Sequence, residues 1–220
     1  MRRVVPGRSR LSIGSTTNIV WDGNSLFVGT PGANGNGVPV KTEEIAPIVG
    51  SGASTTNVAV GGQTWRMMDG LDGGSSADVD AAYDSEASAN ILIAWETTNA
   101  VWAGRTGQQC YDDAAAYIAN RLATNGGWRI VMLTALPRLG SVAQCGRLVD
   151  FNDLAKAGYR SIGVDVLVDV RGTGVFDFLG TDVSQFAASE AYWSGDHVHL
   201  TEAGAAYVAQ LVALGIRRLR

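Results

Sequence analysis

Short apolar segments alternate along the chain with segments whose apolar residues recur every three or four positions. Five segments have the pattern of strands, and they span residues 18–22, 57–60, 90–95, 128–134 and 164–170. The third of them, NILIAW, is continuously apolar, which is typical of a strand covered on both faces. The sequence therefore predicts a sheet whose inner strands have no face in contact with water.

Helical periodicity fills the intervals between these strands. One apolar stripe consists of Tyr111, Ala114, Ala115, Ile118 and Leu122, with Gly126 as the expected stop, and a second consists of Tyr207, Val208, Leu211 and Val212. We expect Thr201 to be the N-cap of the last helix and Gly215 to lie past its end. Strand–helix alternation of this kind predicts an α/β protein, with a three-layer α/β/α flavodoxin-like fold around a five-stranded parallel sheet.

Composition narrows the class of protein. The chain has 220 residues, of which 46% are hydrophobic and 17% charged, so we expect one domain over residues 18–220 after an N-terminal extension, 1–17. A net charge of −4 argues against a nucleic-acid partner. No apolar run reaches the roughly 18 residues of a membrane span, and the N-terminus has no secretory h-region. We therefore expect no membrane partner and a cytoplasmic or particle-associated location.

The two cysteines, Cys110 and Cys145, are too few for a disulfide scaffold and do not form a CxxC pair. They are either two buried thiols or one bridge. The sequence leaves both possibilities open.

Because ligands of parallel sheets bind outside the carboxyl ends of the strands, the polar residues that follow each strand are the candidates for chemistry. Ser25 follows the first strand in the segment Asp22-Gly23-Asn24-Ser25-Leu26, where it is a candidate nucleophile or simply a helix cap. The GxSxG elbow of α/β-hydrolases is absent, since Phe27 stands where its second glycine would be.

Two further strand ends carry candidate hydrogen-bond donors. Gly62 follows the second strand and is either a close-approach glycine or a plain loop residue. Asn99 follows the third strand, where its amide can donate to a developing oxyanion or merely close a turn.

Both histidines of the chain lie in one segment before the last helix. Asp196 and His199 are three residues apart, so the carboxylate can reach the ring and fix its tautomer. A metal site at His197 and His199 is an alternative that no further His or Cys cluster supports.

Taken in order, four segments resemble sequence blocks of the SGNH hydrolases, also called the GDSL esterase/lipase family, of the kind seen in bacteria and phages. The segments are DGNSL, VGGQT, WETTNA and DHVHLTEAG, and the resemblance extends from about residue 18 to about residue 212. The family pattern implies a Ser25–His199–Asp196 triad and an oxyanion hole formed by Ser25, Gly62 and Asn99. Three positions depart from the pattern: Asn24 and Ala100 replace aspartates, and Thr97 replaces a glycine, where a side chain could narrow the pocket or tilt Asn99.

The resemblance implies a serine esterase that needs neither a metal nor an organic cofactor. Short acyl esters are the expected substrates, among them the O-acetyl groups of carbohydrates, which tryptophans near the strand ends could stack upon: Trp65, Trp95, Trp102 and Trp193. One alternative is a catalytically degenerate binding or virion structural protein with the same fold. Another is a phosphate- or nucleotide-binding protein, suggested by the glycine-rich stretches at 32–37 and 50–54, neither of which is a GxGxxG after a strand.

Overall fold

Five parallel strands form a single sheet in the computed structural model, which describes residues 17–29, 37–45 and 53–219. The strand order is β2-β1-β3-β4-β5. The strands are β1 (Thr17–Gly23), β2 (Ser54–Asn57), β3 (Ala89–Trp95), β4 (Trp128–Leu133) and β5 (Val166–Val168). Every neighbouring pair is parallel, so all five carboxyl ends lie at the same edge.

Helices connect the strands and cover the sheet. In chain order they are α1 (Ser25–Val28), α2 (Val38–Ile45), α3 (Trp65–Met68), α4 (Ser76–Ala81), α5 (Thr98–Trp102), α6 (Gly107–Thr124), α7 (Val142–Gly158) and α8 (Glu202–Arg217), with 3-10 helices at Tyr159–Ile162 and Val183–Tyr192. Thr201 is the N-cap of α8, as predicted, and its hydroxyl accepts a hydrogen bond from the Gly204 N–H.

The side chains of the strands alternate between two separate apolar cores. On one face Ile91 and Ile93 belong to the core that α8 completes, whereas on the other Leu92 and Ala94 belong to the core that α3, α5, α6 and α7 complete. This alternation is the strand period of two acting on a sheet that is buried on both sides. The predicted three-layer α/β/α fold with a five-stranded parallel sheet is confirmed.

Three local predictions differ from the structure. The second strand lies at Ser54–Asn57 and not at 57–60, because an exposed edge strand of polar residues carries no apolar pattern. The fifth strand is shorter than predicted. The end of α6 agrees with the prediction, since the helix ends at Thr124 and Gly126 follows its C-cap, Asn125. Gly215 lies inside α8, where a Cβ would meet Cγ2 of Val168 at 2.6 Å, so this glycine allows the helix to approach β5 and does not end it.

Thr17 begins β1, although the sequence placed it in the N-terminal extension, and residues 1–16 lie outside the described part of the chain. Most of the two glycine-rich stretches, at 32–36 and 50–52, also lies outside it. Cys110 and Cys145 are both buried free thiols, which decides between the two possibilities left open by the sequence. Within the described ranges, no helix is long and apolar enough to cross a membrane.

Candidate active site

The end of β1 presents Ser25 at the carboxyl edge of the sheet. Asn24 ends the extended backbone and caps α1, since its side chain accepts a hydrogen bond of 2.9 Å from the Leu26 N–H. Gly23 must be glycine because a Cβ there would lie 2.5 Å from the carbonyl oxygen of Trp95. Ser25 is consequently the first helical residue and remains partly exposed while both of its N-terminal neighbours are buried.

The segment before α8 brings a histidine and a carboxylate to this serine. Nε2 of His199 lies 2.9 Å from Oγ of Ser25, across 174 residues of sequence. Nδ1 of the same ring lies 2.7 Å from Oδ2 of Asp196. The arrangement is a continuous hydrogen-bonded chain of hydroxyl, imidazole and carboxylate, in which the carboxylate fixes the tautomer that leaves Nε2 free to accept the serine proton.

Asp196 is held as an anion by the loop around it. Its Oδ1 accepts hydrogen bonds from the Val198 N–H at 2.9 Å and the His199 N–H at 3.0 Å, and also from the Ser194 hydroxyl. Although partial burial opposes them, these hydrogen bonds and the one to the His199 ring hold the pKa of Asp196 well below its usual range. The carboxylate is therefore charged at every pH at which an imidazole can act as a base.

The loop that carries Asp196 and His199 is closed by its own backbone. Trp193 and Leu200 form an antiparallel bridge, and the Ser194 N–H donates to the His199 carbonyl at 2.9 Å.

The second histidine of this loop, His197, does not join the Ser25 site. Its Nε2 lies 3.1 Å from Oε2 of Glu190. Among the described residues no three His, Cys, Asp or Glu side chains form a group that could hold a metal ion.

The two remaining predicted donors lie side by side. Nδ2 of Asn99, on α5, donates to the carbonyl of Gln63 at 3.1 Å, and its second N–H has no partner among the residues that the structure describes. Gly62 immediately precedes Gln63 in an exposed turn and has a φ of 82°, a conformation that favours glycine. No hydrogen-bond partner of the Gly62 N–H occurs in the described part of the chain.

Thr97, which stands where the family pattern has a glycine, has a backbone conformation that favours glycine. Its φ is 142°, which is unusual for a β-branched residue. Its side chain is buried and accepts a hydrogen bond of 3.0 Å from the indole N–H of Trp65, so it lies in the core and does not narrow the exposed edge. Ala100 is also buried.

Two carboxylates that the sequence did not single out are buried beneath the site. Oε1 of Glu96 accepts a hydrogen bond of 2.7 Å from the Asn99 N–H and lies 3.5 Å from Nδ2 of Asn24, thereby connecting the two strand ends. Burial raises the pKa of Glu96 to about 7, against the hydrogen bonds it accepts. Burial likewise raises the pKa of Asp22 to about 6. Both Glu96 and Asp22 could have been recognised in the sequence as candidate site residues, because each is a charged residue at the end of an apolar strand.

Of the four tryptophans expected near the strand ends, three are core side chains. Trp65, Trp95 and Trp193 are buried, whereas Trp102 is only partly so. Trp102 is three residues after Asn99 on α5, which places both on one face of that helix. The guanidinium of Arg138 lies 4.3 Å from the centre of its ring system.

No family model and no curated protein matches the sequence, whereas many solved structures match the fold. A protein from Parabacteroides merdae, described as a GDSL-like lipase, is 15% identical with a TM-score of 0.71, and the match covers 96% of this chain and all of that one. An SGNH hydrolase structure from Slackia heliotrinireducens is 20% identical, with a TM-score of 0.60 and coverage of 91% and 99%. Est24 from Sinorhizobium meliloti, described as a carbohydrate acetylesterase, is 14% identical, with a TM-score of 0.68 and coverage of 93% and 100%.

The chain therefore has the fold of the SGNH hydrolases, and the resemblance noted from the four sequence segments is confirmed at that level. The solved structures that resemble this chain include a GDSL-like lipase and a carbohydrate acetylesterase.

Proposed function

We propose that the protein is a serine esterase in which Ser25 is the nucleophile, His199 the general base and Asp196 its orienting carboxylate. The observation that carries the proposal is the unbroken hydrogen-bonded chain from the Ser25 hydroxyl to the Asp196 carboxylate. Serine taken alone is a common helix cap, but a serine hydroxyl 2.9 Å from a carboxylate-bound imidazole is poised to lose its proton.

The reaction follows from this geometry in two steps. Oγ of Ser25 bonds to the ester carbonyl carbon while its proton passes to Nε2 of His199, and collapse of the tetrahedral intermediate expels the alcohol, which takes that proton. A water molecule, deprotonated by the same ring, then attacks the acyl-serine carbonyl. The bond from the carbonyl carbon to Oγ breaks, the carboxylic acid is released, and Nε2 returns the proton to Oγ. The developing oxyanion is stabilised by the backbone N–H groups of Ser25 and Gly62 and by the free amide N–H of Asn99.

For the substrate we propose a short acyl ester, with the O-acetyl group of a carbohydrate as the favoured case. The partly exposed indole of Trp102, on the same face of α5 as Asn99, is suited to stacking against a sugar ring. Est24, which is described as a carbohydrate acetylesterase and shares the fold, supports the same substrate class.

Turnover of p-nitrophenyl esters of increasing chain length tests the activity and the nucleophile together. We expect the C2 ester to be hydrolysed fastest and Ser25→Ala to abolish turnover and fluorophosphonate labelling. Ser161→Ala is the matched control, because Ser161 is an exposed serine in the 3-10 helix before β5, at the opposite edge of the sheet. Wild-type protein that neither turns over esters nor is labelled at Ser25 would favour the degenerate binding protein instead.

Acetate release from acetylated polysaccharide tests the substrate class. Trp102→Leu should raise KM for the polysaccharide about fivefold, since aromatic stacking contributes about 1 kcal/mol, and should leave the KM for p-nitrophenyl acetate unchanged. An equal rise for both substrates would contradict a sugar-stacking role.

A further inference from the structure

Gln63 connects the two strand ends from which the proposed oxyanion donors come. Its side chain is completely buried, and Nε2 donates to Oδ1 of Asp22 at 3.0 Å and to the Gly23 carbonyl. Its backbone carbonyl accepts the hydrogen bond from Nδ2 of Asn99. One residue therefore binds the end of β1 with its side chain and the Asn99 amide with its main chain.

The anchor of Gln63 is itself fixed by buried groups. Oδ1 of Asp22 also accepts a hydrogen bond of 2.6 Å from the Ser75 hydroxyl, and Oδ2 accepts one of 2.7 Å from the Tyr117 hydroxyl. The Ser75 hydroxyl lies 3.1 Å from Oε1 of Gln63, at the other end of the amide. Because Nε2 of Gln63 donates to two acceptors at the end of β1, the orientation of the side chain is fixed.

A side-chain amide on a short helix has free rotation unless something holds it. Asn99 has two N–H groups, and the Gln63 carbonyl takes one of them, which determines the direction of the other. An oxyanion donor contributes only when it is preorganised toward the position where charge develops. The second N–H therefore owes its direction to the position of the Gln63 carbonyl, and that position depends on the buried side chain.

We propose that Gln63 is a positioning residue that aims the Asn99 amide at the oxyanion, with Asp22 as its buried anchor; this rests on the proposed esterase function. Gln63 acts through Asn99 and does not touch the substrate. Its loss should therefore lower kcat without weakening the binding of the ground state.

Gln63→Met tests the proposal, because methionine has a similar length and cannot form the hydrogen bonds. We expect kcat for p-nitrophenyl acetate to fall about 10- to 100-fold with KM unchanged within about twofold, since a misdirected donor loses part of what a deleted one loses. Asn18→Leu is the matched control. Asn18 is a buried amide that binds Asn90 at 2.8 Å near the amino end of the sheet, so its loss should lower the melting temperature and leave kcat unchanged.

A double-mutant cycle decides whether the effect passes through Asn99. In an Asn99→Ala background, Gln63→Met should lower kcat by less than about twofold further. If the two losses multiply in full, or if Gln63→Met raises KM and leaves kcat intact, the inference is wrong. Turnover that depends on Ser25 but not on Gln63 overturns this inference alone, whereas turnover that survives Ser25→Ala overturns the proposed function and the inference with it.

Discussion

The carboxylates on the two sides of the proposed site differ in what surrounds them. Asp196 lies in a loop with about half of its side chain exposed, and its pKa is lowered by hydrogen bonds from that loop. Glu96 and Asp22 lie at strand ends inside the protein, and burial raises the pKa of each. An anion beside the imidazole has to remain charged for proton transfer, whereas the buried pair binds backbone and amide N–H groups. The loop carboxylate is therefore suited to assist proton transfer, and the carboxylates at the strand ends are suited to hold neighbouring groups in place.

Replacement of the loop carboxylate should have the largest effect. Asp196→Asn is expected to lower kcat about 10⁴-fold, because an amide favours the wrong tautomer of His199. The comparison is with Asp22→Asn on the strand side, which should lower kcat by at most about 10²-fold, since it acts only on an oxyanion donor. Steady-state kinetics on both variants measure the difference. Equal losses would remove the distinction between the two sides.

Removal of a proposed donor on the strand side should come next. Asn99→Ala is expected to lower kcat about 10²- to 10³-fold, because one hydrogen bond to the oxyanion is lost. Asn120→Ala is the control, since Asn120 is an exposed amide on α6 that binds Asp69. An Asn99→Ala enzyme that retains full turnover would exclude this side chain from the oxyanion hole.

The raised pKa of Glu96 should make the free energy of unfolding depend on pH. The pKa of this carboxyl is about 7 in the folded protein and 4.5 for the free side chain, so the folded state binds the proton more tightly. The resulting stabilisation of the folded state is complete below about pH 4.5 and is lost as the pH rises through 7. In Glu96→Gln the loss of stability between pH 5 and pH 8 should shrink by about 2–3 kcal/mol, and the part that comes from Asp22, whose pKa burial also raises, should remain. The amide can be accommodated because Oε2 has no hydrogen-bond partner among the described residues.

Urea unfolding at the two pH values measures this change. Glu86→Gln, at an exposed position, is the control and should retain the wild-type dependence. A Glu96→Gln variant with the same dependence as wild type would show that Glu96 is not the group that titrates.

The smallest effect is expected at the second histidine of the loop. His197→Ala should lower turnover less than about fivefold, because the His197 ring is hydrogen-bonded to the half-exposed Glu190, a contact that contributes about 1 kcal/mol, and takes no part in the proposed proton path. His199→Ala, measured alongside it, should lose several orders of magnitude. Similar losses in the two variants would indicate a shared metal or structural role instead.

Much of this arrangement could be predicted because strand ends are visible in the sequence. The apolar runs located β1, β3 and β4, and the polar residues after the first and third included Ser25 and Asn99. The predicted roles of Ser25, His199, Asp196 and the oxyanion donors remain predictions, although the structure brings the side chains of the first three within hydrogen-bond distance.

What the sequence did not reveal depends on contacts between distant segments. Tyr117 reaches Asp22 across 95 residues, and Gln63 reaches it across 41, so no local pattern connects them. Helical periodicity shows which side of a helix is apolar but not which element packs against that side. Gly215 was therefore predicted to lie past the end of α8, whereas the helix contains it. The tryptophans near strand ends in sequence are mostly core residues, because Trp95 lies on a strand covered on both faces and Trp65 and Trp193 pack into the two cores beside the sheet.

The backbone bridge between Trp193 and Leu200 joins the two ends of the segment that carries Asp196 and His199, so that this segment forms one unit. Movement of that unit as a whole would leave the imidazole and its carboxylate together and would lengthen only the 2.9 Å separation from Ser25. A displacement of this segment relative to α1 would therefore interrupt the proposed proton path at the contact between His199 and Ser25. The histidine would retain its tautomer through each such excursion.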